Sequence, residues 1–300
     1  TTENNFQLDI GKKGRSRLNV AKPTFKAKPE ISHDRKKPRL VDHNAFYLKV
    51  LGITSATGEI QAKQKDKWKQ INKIVETLSK LFDNSLLKDK KKIRIVDMAA
   101  GKGYLTFATY DYYRNERGID VEVVGIDTKK QLIEICNGLA ESAEFTGLKF
   151  VHGYIDKFDL EKTDILIALH ACNTATDDAI YKGIKAEADL IVVSPCCHQE
   201  IRHQMKPPAM LENVFKHGIM LEREAELVTD GLRSLLLEQS GYSTKIFEFI
   251  ATDHTPKNIL IVGTKLKTPP DSEQFNQQVQ TIKDFYGIKS HKLETLLKQP

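Results

Sequence analysis

The chain has 300 residues, of which 40% are hydrophobic and 29% charged, and its formal net charge at pH 7 is +6. This length accommodates one Rossmann-sized domain of about 180 residues with additional segments, and no apolar run is long enough to span a membrane. Four cysteines are too few for a disulfide scaffold, and the first ten residues contain no apolar signal segment, so we expect a cytoplasmic protein without a membrane partner.

Positive charge is concentrated near the amino end. Eleven Lys or Arg residues lie between Gly11 and Arg39 against only Glu30 and Asp34, which gives this segment +9 and leaves −3 for the rest of the chain. Since the segment is also rich in proline and poor in apolar residues, we expect residues 1–42 to be a disordered basic arm. The charge fits either contact with RNA phosphates or solubility, and composition favours neither.

Residues 43–89 are predicted to form a helical cover. Between Lys63 and Phe82, Trp68 and several aliphatic residues recur at helical spacing, while lysines, Lys67 among them, occupy the other face. We expect this helix to lie over the ligand pocket or the sheet edge. Each lysine taken singly is most simply part of a solvated face.

From Lys92 onward, strand and helix patterns alternate, which predicts a parallel sheet with crossover helices over residues 90–266. The last two of seven strands are joined by a turn too short for a helix, so we expect an antiparallel hairpin. A helix over 209–239 is predicted to break near Gly218 and Gly231. Residues 267–300 are expected to be a polar, partly helical tail.

The segment 93–105, IRIVDMAAGKGYL, carries the strongest functional signal. An apolar strand ends in Asp97, and a glycine turn then leads into a helix, an arrangement that brings backbone N–H groups close to a ligand. The next strand ends in Asp127, where a carboxylate can accept hydrogen bonds from ribose hydroxyls. Thr106 stands where the dinucleotide fingerprint has its third glycine, which disfavours NAD.

This acid, GxG, acid series resembles the class I S-adenosylmethionine (SAM) methyltransferases. The resemblance implies an α/β, Rossmann-like, seven-stranded class I methyltransferase sheet with a C-terminal antiparallel hairpin, and SAM as the cofactor. It implies cofactor-binding roles for Asp97, Ala99, Gly101, Gly103, Asp127, Asp156 and His170. Within that set, Asp127 is expected to bind the ribose and Asp156 the adenine amine, with Asp159 as a competitor.

Three further loops leave the expected ligand edge of the sheet and carry His170 and Cys172, then Cys196, Cys197 and His198, and finally His254, Lys257 and Asn258. We expect them to form one rim. A histidine can remove a proton from a hydroxyl nucleophile because its pKa lies near neutrality, and a lysine can orient a phosphate. The predicted catalytic residues are accordingly His170, His198, Cys172, Cys197 and Lys257.

The LHAC-N-TATD loop (169–177) and the PCCH loop (195–198) together resemble a branch of class I methyltransferases that includes the methyltransferase domain of glutathione S-transferase C-terminal domain-containing protein. They are similar in outline to tRNA 2′-O-methyltransferases. Asn173 replaces the glycine of that loop, and Gln199 replaces a second histidine. The resemblance covers about residues 92–265 and favours tRNA or rRNA as the substrate.

The cysteines leave several interpretations open. One is a thiolate that attacks a pyrimidine base. Another is a Cys₃His zinc site with His198, which the adjacency of Cys196 and Cys197 disfavours because zinc ligands are usually spaced further apart, so no metal is predicted. The others are three thiolates for arsenic methylation and simple packing under the cofactor.

The favoured function is SAM-dependent methylation of RNA, with RNA contacting residues 11–39 and the sheet rim. One alternative is a methyltransferase for a small molecule or metalloid, in which the basic arm only aids solubility. Another is a SAM-binding, RNA-associated protein without turnover, which would not need the rim histidines and cysteines.

Overall fold

The computed structural model describes residues 3–11, 15–23, 39–169, 171–206, 208–250 and 258–299. They fall into two compact units, Thr1–Arg39 and Leu40–Pro300. Much of the basic segment, at 12–14 and 24–38, lies outside the described residues. Within the described ranges, no helix combines the length and apolarity needed to cross a membrane.

The first unit contains an antiparallel hairpin of β1 (Asn5–Ile10) and β2 (Ser16–Ala21), in which Leu8 lies opposite Leu18. The prediction of a disordered arm is wrong for these two strands. Apolar and polar residues alternate along both of them, and this alternation favours strand pairing. The apolar side chains remain more than half exposed, so the hairpin has no core of its own.

The second unit is a seven-stranded sheet with helices on both faces. Its strands are β3 (Lys92–Met98), β4 (Asp120–Asp127), β5 (Leu148–His152), β6 (Ile165–Leu169), β7 (Leu190–Ser194), β8 (Tyr242–Glu248) and β9 (Ile259–Lys265). Its α-helices are α1 (Phe46–Val50), α2 (Lys65–Asp83), α3 (Tyr104–Asp111), α4 (Lys130–Ser142), α5 (Ala175–Lys185), α6 (Gln199–Gln204), α7 (Glu212–Phe215), α8 (Gly218–Gln239), α9 (Ser272–Tyr286) and α10 (Lys292–Leu297).

The strands lie in the order β5-β4-β3-β6-β7-β9-β8. Strands β3 to β7 pair in parallel, and β9 is antiparallel to both of its neighbours. The predicted parallel sheet with a C-terminal antiparallel hairpin is therefore confirmed. Since the chain builds outward from β3 on one side and then returns to β6 on the other, the carboxyl ends of these two strands flank the crevice where open α/β sheets bind ligands.

Burial explains the sequence pattern of the central strands. Every residue of β7 and all but the last of β6 are buried, which accounts for their continuous apolar runs. Helices α1 to α4 cover one face of the sheet, and α5, α8, α9 and α10 cover the other. The apolar stripe of α2, including Trp68 and Ile71, is buried as its helical spacing predicts.

The helix predicted over 209–239 is interrupted before Gly218, where α8 begins, but runs unbroken through Gly231. The second expected break is therefore wrong. Val228 and Leu232 flank this glycine and are buried in the core on that face of the sheet. Their burial outweighs the roughly 1 kcal/mol that a helical glycine costs relative to alanine.

Candidate active site

A cavity of about 390 Å³ lies at the carboxyl edge of the sheet, where β3, β4 and β6 end. This volume falls within the range of small-molecule binding sites. The sheet and its loops supply Asp97, Ala99, Ala100, Gly101, Lys102, Asp127, Leu169 and Phe249 to the lining. Helix α3 supplies Tyr104 and Leu105, and α2 supplies Lys67, Gln70, Ile71 and Ile74. Helix α2 therefore forms one wall of this cavity.

Asp127 connects the end of β4 to the glycine turn. Its Oδ2 accepts a hydrogen bond from the Gly101 backbone N–H at 2.9 Å, and its Oδ1 accepts one from the Lys129 N–H at 3.0 Å. A carboxylate has about four acceptor positions, so two remain after these bonds. The side chain is held in one orientation and can still accept hydrogen bonds from hydroxyl groups in the cavity.

Asp97 is buried, with 4% of its surface exposed, although it lines the cavity. Thr106 Oγ1 donates a hydrogen bond to Asp97 Oδ2 at 2.6 Å. Burial raises the pKa of Asp97 to about 7, and the negative charge of Asp127 acts in the same direction. A cationic group in the cavity would favour the ionised carboxylate.

The turn after β3 uses left-handed backbone at three positions, with φ of 67° at Ala99, 58° at Gly101 and 73° at Gly103. At Gly103 a Cβ would lie 2.9 Å from the Phe150 ring, so a side chain is excluded there. Ala99 adopts this conformation despite having a side chain. Gly103 itself precedes α3 and shapes the turn, and it is not part of the cavity lining.

Lys67 contributes the charged part of the α2 wall. Its Nζ lies 5.9 Å from the centre of the Tyr104 ring, a cation–π contact between two residues that both line the cavity. Burial lowers the pKa of this amine below its usual value. The sequence pattern assigned Lys67 to a solvated face, but α2 is rotated so that this lysine lies at the cavity wall.

Three thiols from two loops converge at the carboxyl edge of the sheet. The Sγ of Cys172 lies 3.9 Å from that of Cys196 and 3.6 Å from that of Cys197, and the last two are 3.7 Å apart. A hydrogen bond to Cys197 and burial raise the pKa of Cys172, and burial together with the neighbouring thiols raises that of Cys196 to about 12. This environment disfavours a free thiolate nucleophile at either position.

His198 is placed differently from the prediction. The sequence put it on an open rim, whereas its side chain is fully buried and its Nε2 lies 3.2 Å from Asp230 Oδ1 on α8. Among the residues that the structure describes, none forms a hydrogen bond with its Nδ1. The correction has a tertiary cause, because α8 packs over the loop after β7 and supplies the polar partner that draws the imidazole inward.

Arg233 on α8 organises the same buried cluster. It donates two hydrogen bonds to Asp177, at 3.0 and 2.7 Å, one to Asp230 at 3.1 Å and one to the carbonyl of Asn173 at 3.1 Å. Asn173 has a φ of 49°, the left-handed conformation for which glycine and asparagine are best suited. The TATD aspartate and the PCCH histidine therefore hold two loops onto α8.

Besides Gly103, His198, Cys172 and Cys197, three further predicted site residues are not placed in the cavity by the described structure. Asp156 lies in an exposed turn after β5 and does not line the cavity. It lies near Asp178, whose pKa is raised mainly by burial and further by the charge of Asp156. His170 and Lys257 lie outside the described residues. Their assignments remain predictions.

The two acidic strand ends, the glycine turn and all of the cavity lining except Phe249 lie within one segment that has a known counterpart. Residues 66–204 match a family whose description is methyltransferase domain. The match covers less than half of the chain. With its seven-stranded sheet, the matched segment is of the class I methyltransferase kind, which implies SAM as the cofactor.

The methyltransferase domain is similar to part of a longer curated protein. Glutathione S-transferase C-terminal domain-containing protein is 21% identical over 197 residues in Bos taurus and 22% identical over 197 residues in Homo sapiens. Each alignment covers 58% of this chain and 30% of the relative, so the chain spans less than a third of the length of these proteins. The predicted resemblance to this branch is thereby confirmed.

Solved structures with related folds include two methyltransferases at low sequence identity. The precorrin-6y C5,15-methyltransferase from Geobacter metallireducens has a TM-score of 0.39 and 14% identity, over 65% of this chain and 89% of that chain. An rRNA methylase from Streptococcus thermophilus has a TM-score of 0.42 and 12% identity, over 64% of this chain and 96% of that chain.

Sequence reasoning missed the residues that α2 contributes to the cavity wall and α8 to the buried cluster beside it. In the sequence, nothing distinguishes Lys67 and Gln70 of the cavity wall from the solvent-exposed polar residues of the same helix. Asp230 and Arg233 did give one, since they are charged residues three positions apart within an otherwise apolar stretch of helix. Such a pair in a buried helix needs partners, and the cysteine loops provide them.

Proposed function

We propose that this protein is a SAM-dependent methyltransferase that acts on RNA. The observation that carries the proposal is the concentration of positive charge, +9 on residues 11–39 against −3 for the remainder of the chain. Such a segment neutralises phosphates and releases counterions from a nucleic acid. In the second unit, Lys67 and Lys102 add cationic groups at the cavity itself, where a phosphate-bearing substrate has to approach.

The residues around the cavity fit SAM. Asp127 has free acceptor positions for the ribose hydroxyls, and the Gly101 turn allows close approach of the backbone. Asp97 is a carboxyl group whose ionisation a cation would promote, and SAM carries both an ammonium and a sulfonium group. When bound, SAM supplies a methyl group already activated for in-line displacement. The predicted contact between Asp156 and the adenine amine remains part of this proposal.

Lys67 is assigned to the substrate side of the reaction. Its amine lines the cavity, where the charged form can orient a phosphate. Burial lowers its pKa, which favours the neutral form that can take up the proton a nucleophile loses. His170 retains its predicted role as the alternative base. His198 acts as a positioning residue in this scheme, because its imidazole contacts Asp230 and not the cavity.

The test is methyl transfer from labelled SAM to RNA from cells that lack this protein, followed by mapping of the labelled nucleotide. We expect label in a single RNA class, and no label with Asp97→Ala, which removes a cavity carboxylate. RNA from cells that contain the protein is the matched control, since its sites are already methylated. Label in small molecules but not in RNA would contradict the RNA proposal and support the small-molecule alternative.

A further inference from the structure

The three thiols at the sheet edge are a second chemical feature of the methyltransferase unit, separate from the cavity. Cys172 follows β6, and Cys196 and Cys197 follow β7, so two separate loops bring the sulfurs together. All three pairs of Sγ atoms lie 3.6–3.9 Å apart. None of the three lines the 390 Å³ cavity.

We propose that Cys172, Cys196 and Cys197 bind one Zn²⁺ ion through three thiolates. Zinc binds thiolates at about 2.3 Å with tetrahedral angles, which places the ligand sulfurs about 3.8 Å from one another. The observed separations of 3.6, 3.7 and 3.9 Å bracket this value. Little movement of the side chains is therefore needed to accommodate the ion.

In the sequence, zinc was disfavoured because Cys196 and Cys197 are adjacent. The conformation of their loop removes this objection. Although Cys196 and Cys197 are neighbours in the chain, their sulfurs lie on the same side, 3.7 Å apart, and both face Cys172. The short loop is bounded by the end of β7 at Ser194 and the start of α6 at Gln199. The two neighbouring cysteines thus present both sulfurs to one point.

The fourth position belongs to solvent or to a bound molecule, and not to His198. The His198 imidazole is fully buried and contacts Asp230, so it does not complete a Cys₃His set. Cys172 is exposed, while Cys196 and Cys197 are partly buried, so the site opens on the Cys172 side. Three protein ligands and an open fourth position are the arrangement of reactive zinc sites, as distinct from closed structural ones.

A simple disulfide accounts for the cluster less well. A disulfide joins two sulfurs at about 2.05 Å and leaves the third without a partner. Here the three separations are nearly equal, and each thiol contacts both of the others. A nearly symmetric triangle of sulfurs fits one metal ion bound by all three. It does not favour any one pair of cysteines for a disulfide.

The test measures metal binding by the full chain, purified under reducing conditions. We expect about one Zn²⁺ per chain by elemental analysis, and after replacement by Co²⁺, the sulfur-to-cobalt charge-transfer band of thiolate ligation. Loss of a group that only hydrogen-bonds to a metal ligand lowers metal affinity about 10–100-fold. Each of the variants Cys172→Ser, Cys196→Ser and Cys197→Ser should lower zinc affinity by more than this, because each removes a ligand. Cys136→Ala is the matched control, since Cys136 is a cysteine buried in the core, and should bind zinc like the wild type.

A His198→Asn variant separates the three-thiolate site from a Cys₃His site, because the proposal requires unchanged zinc stoichiometry and an unchanged cobalt spectrum. Thermal melting establishes that each variant is folded. Zinc content well below one per chain with no cobalt charge-transfer band would overturn the proposal. So would retention of zinc when all three cysteines are replaced, or binding of trivalent arsenic without any binding of Zn²⁺.

Discussion

The carboxylate of Asp127 accepts a hydrogen bond from the backbone N–H of Gly101 at 2.9 Å, across 26 residues of sequence. This contact links the end of β4 to the turn that follows β3. The ribose-binding carboxylate and the glycine turn expected to bind SAM therefore form one rigid unit. A second bond from Lys129 fixes the same carboxylate. The acceptor positions that remain are therefore oriented before any ligand arrives, which lowers the entropic cost of binding.

Replacement of Asp127 tests this unit. Asp127→Ala should weaken SAM binding by about 1–3 kcal/mol, the usual cost of losing hydrogen bonds to a charged group. Isothermal calorimetry gives the affinity. Asp120→Ala is the matched control, because Asp120 is exposed at the opposite end of the same strand. Unchanged affinity in Asp127→Ala, or binding of NADH in place of SAM, would show that the cofactor assignment is incorrect.

The buried Asp97 makes stability depend on pH. Its pKa is raised from 3.8 to about 7 by burial, so between these values the folded state holds a proton that the unfolded state has lost. The free energy of unfolding should therefore fall as pH rises from 5 towards 7, by at most about 1.4 kcal/mol per pH unit, and this loss should level off above 7. Asp97→Asn keeps an acceptor for Thr106 but removes the titration.

Urea denaturation at a series of pH values between 5 and 8 measures this effect. The difference between wild type and Asp97→Asn isolates the contribution of the single carboxyl group, because the other titrations are common to both proteins. A difference that does not change with pH would contradict the raised pKa.

Lys67 should affect turnover more than cofactor binding. We expect Lys67→Met to lower kcat by about 100-fold or more, the range for loss of a group that moves a proton in the transition state, with little change in the Kd for SAM. Lys69→Met is the matched control, since Lys69 is an exposed lysine two positions along the same helix. Wild-type kcat in Lys67→Met would remove this lysine from the mechanism.

Arg233 should be essential to stability. Arg233→Met leaves Asp177 and Asp230 buried without their cation, and removal of one partner from a buried ion pair costs about 3–5 kcal/mol. Arg114→Met, which breaks an exposed ion pair with Asp120, should change the free energy of unfolding by less than about 1 kcal/mol. Denaturant titration compares the two variants. Equal effects would mean that the buried network contributes no more than a surface pair.

The basic segment should contribute to RNA affinity through phosphates and not through base recognition. The test variant replaces Arg35, Lys36, Lys37 and Arg39 with Gln, and the matched control replaces the exposed lysines Lys157, Lys162, Lys267 and Lys289. Both lower the net charge equally. The test variant should reduce the slope of log affinity against log salt by up to about three for single-stranded RNA. An equal slope in wild type and test variant would leave the segment a solubility feature.

The sequence alone determined the sheet and the cofactor loop. Short apolar runs, an acid at each strand end and a GxG turn are local features, and the parallel strand order brings Asp97 and Asp127 to the same edge without further information. The antiparallel hairpin followed from the short connection between the last two strands. These inferences hold because strand alternation and turn geometry depend on residues close together in the chain.

Only the tertiary structure decided which side chains line the cavity and which are buried. The rotation of α2 brings Lys67 to the wall, and the packing of α8 turns His198 towards Asp230 and pairs Asp177 with Arg233. The convergence of Cys172 with Cys196 and Cys197 likewise requires two loops whose paths are set by the helices that follow them. Such contacts join residues far apart in sequence, so the physical reason lies in packing between elements, which no local pattern encodes.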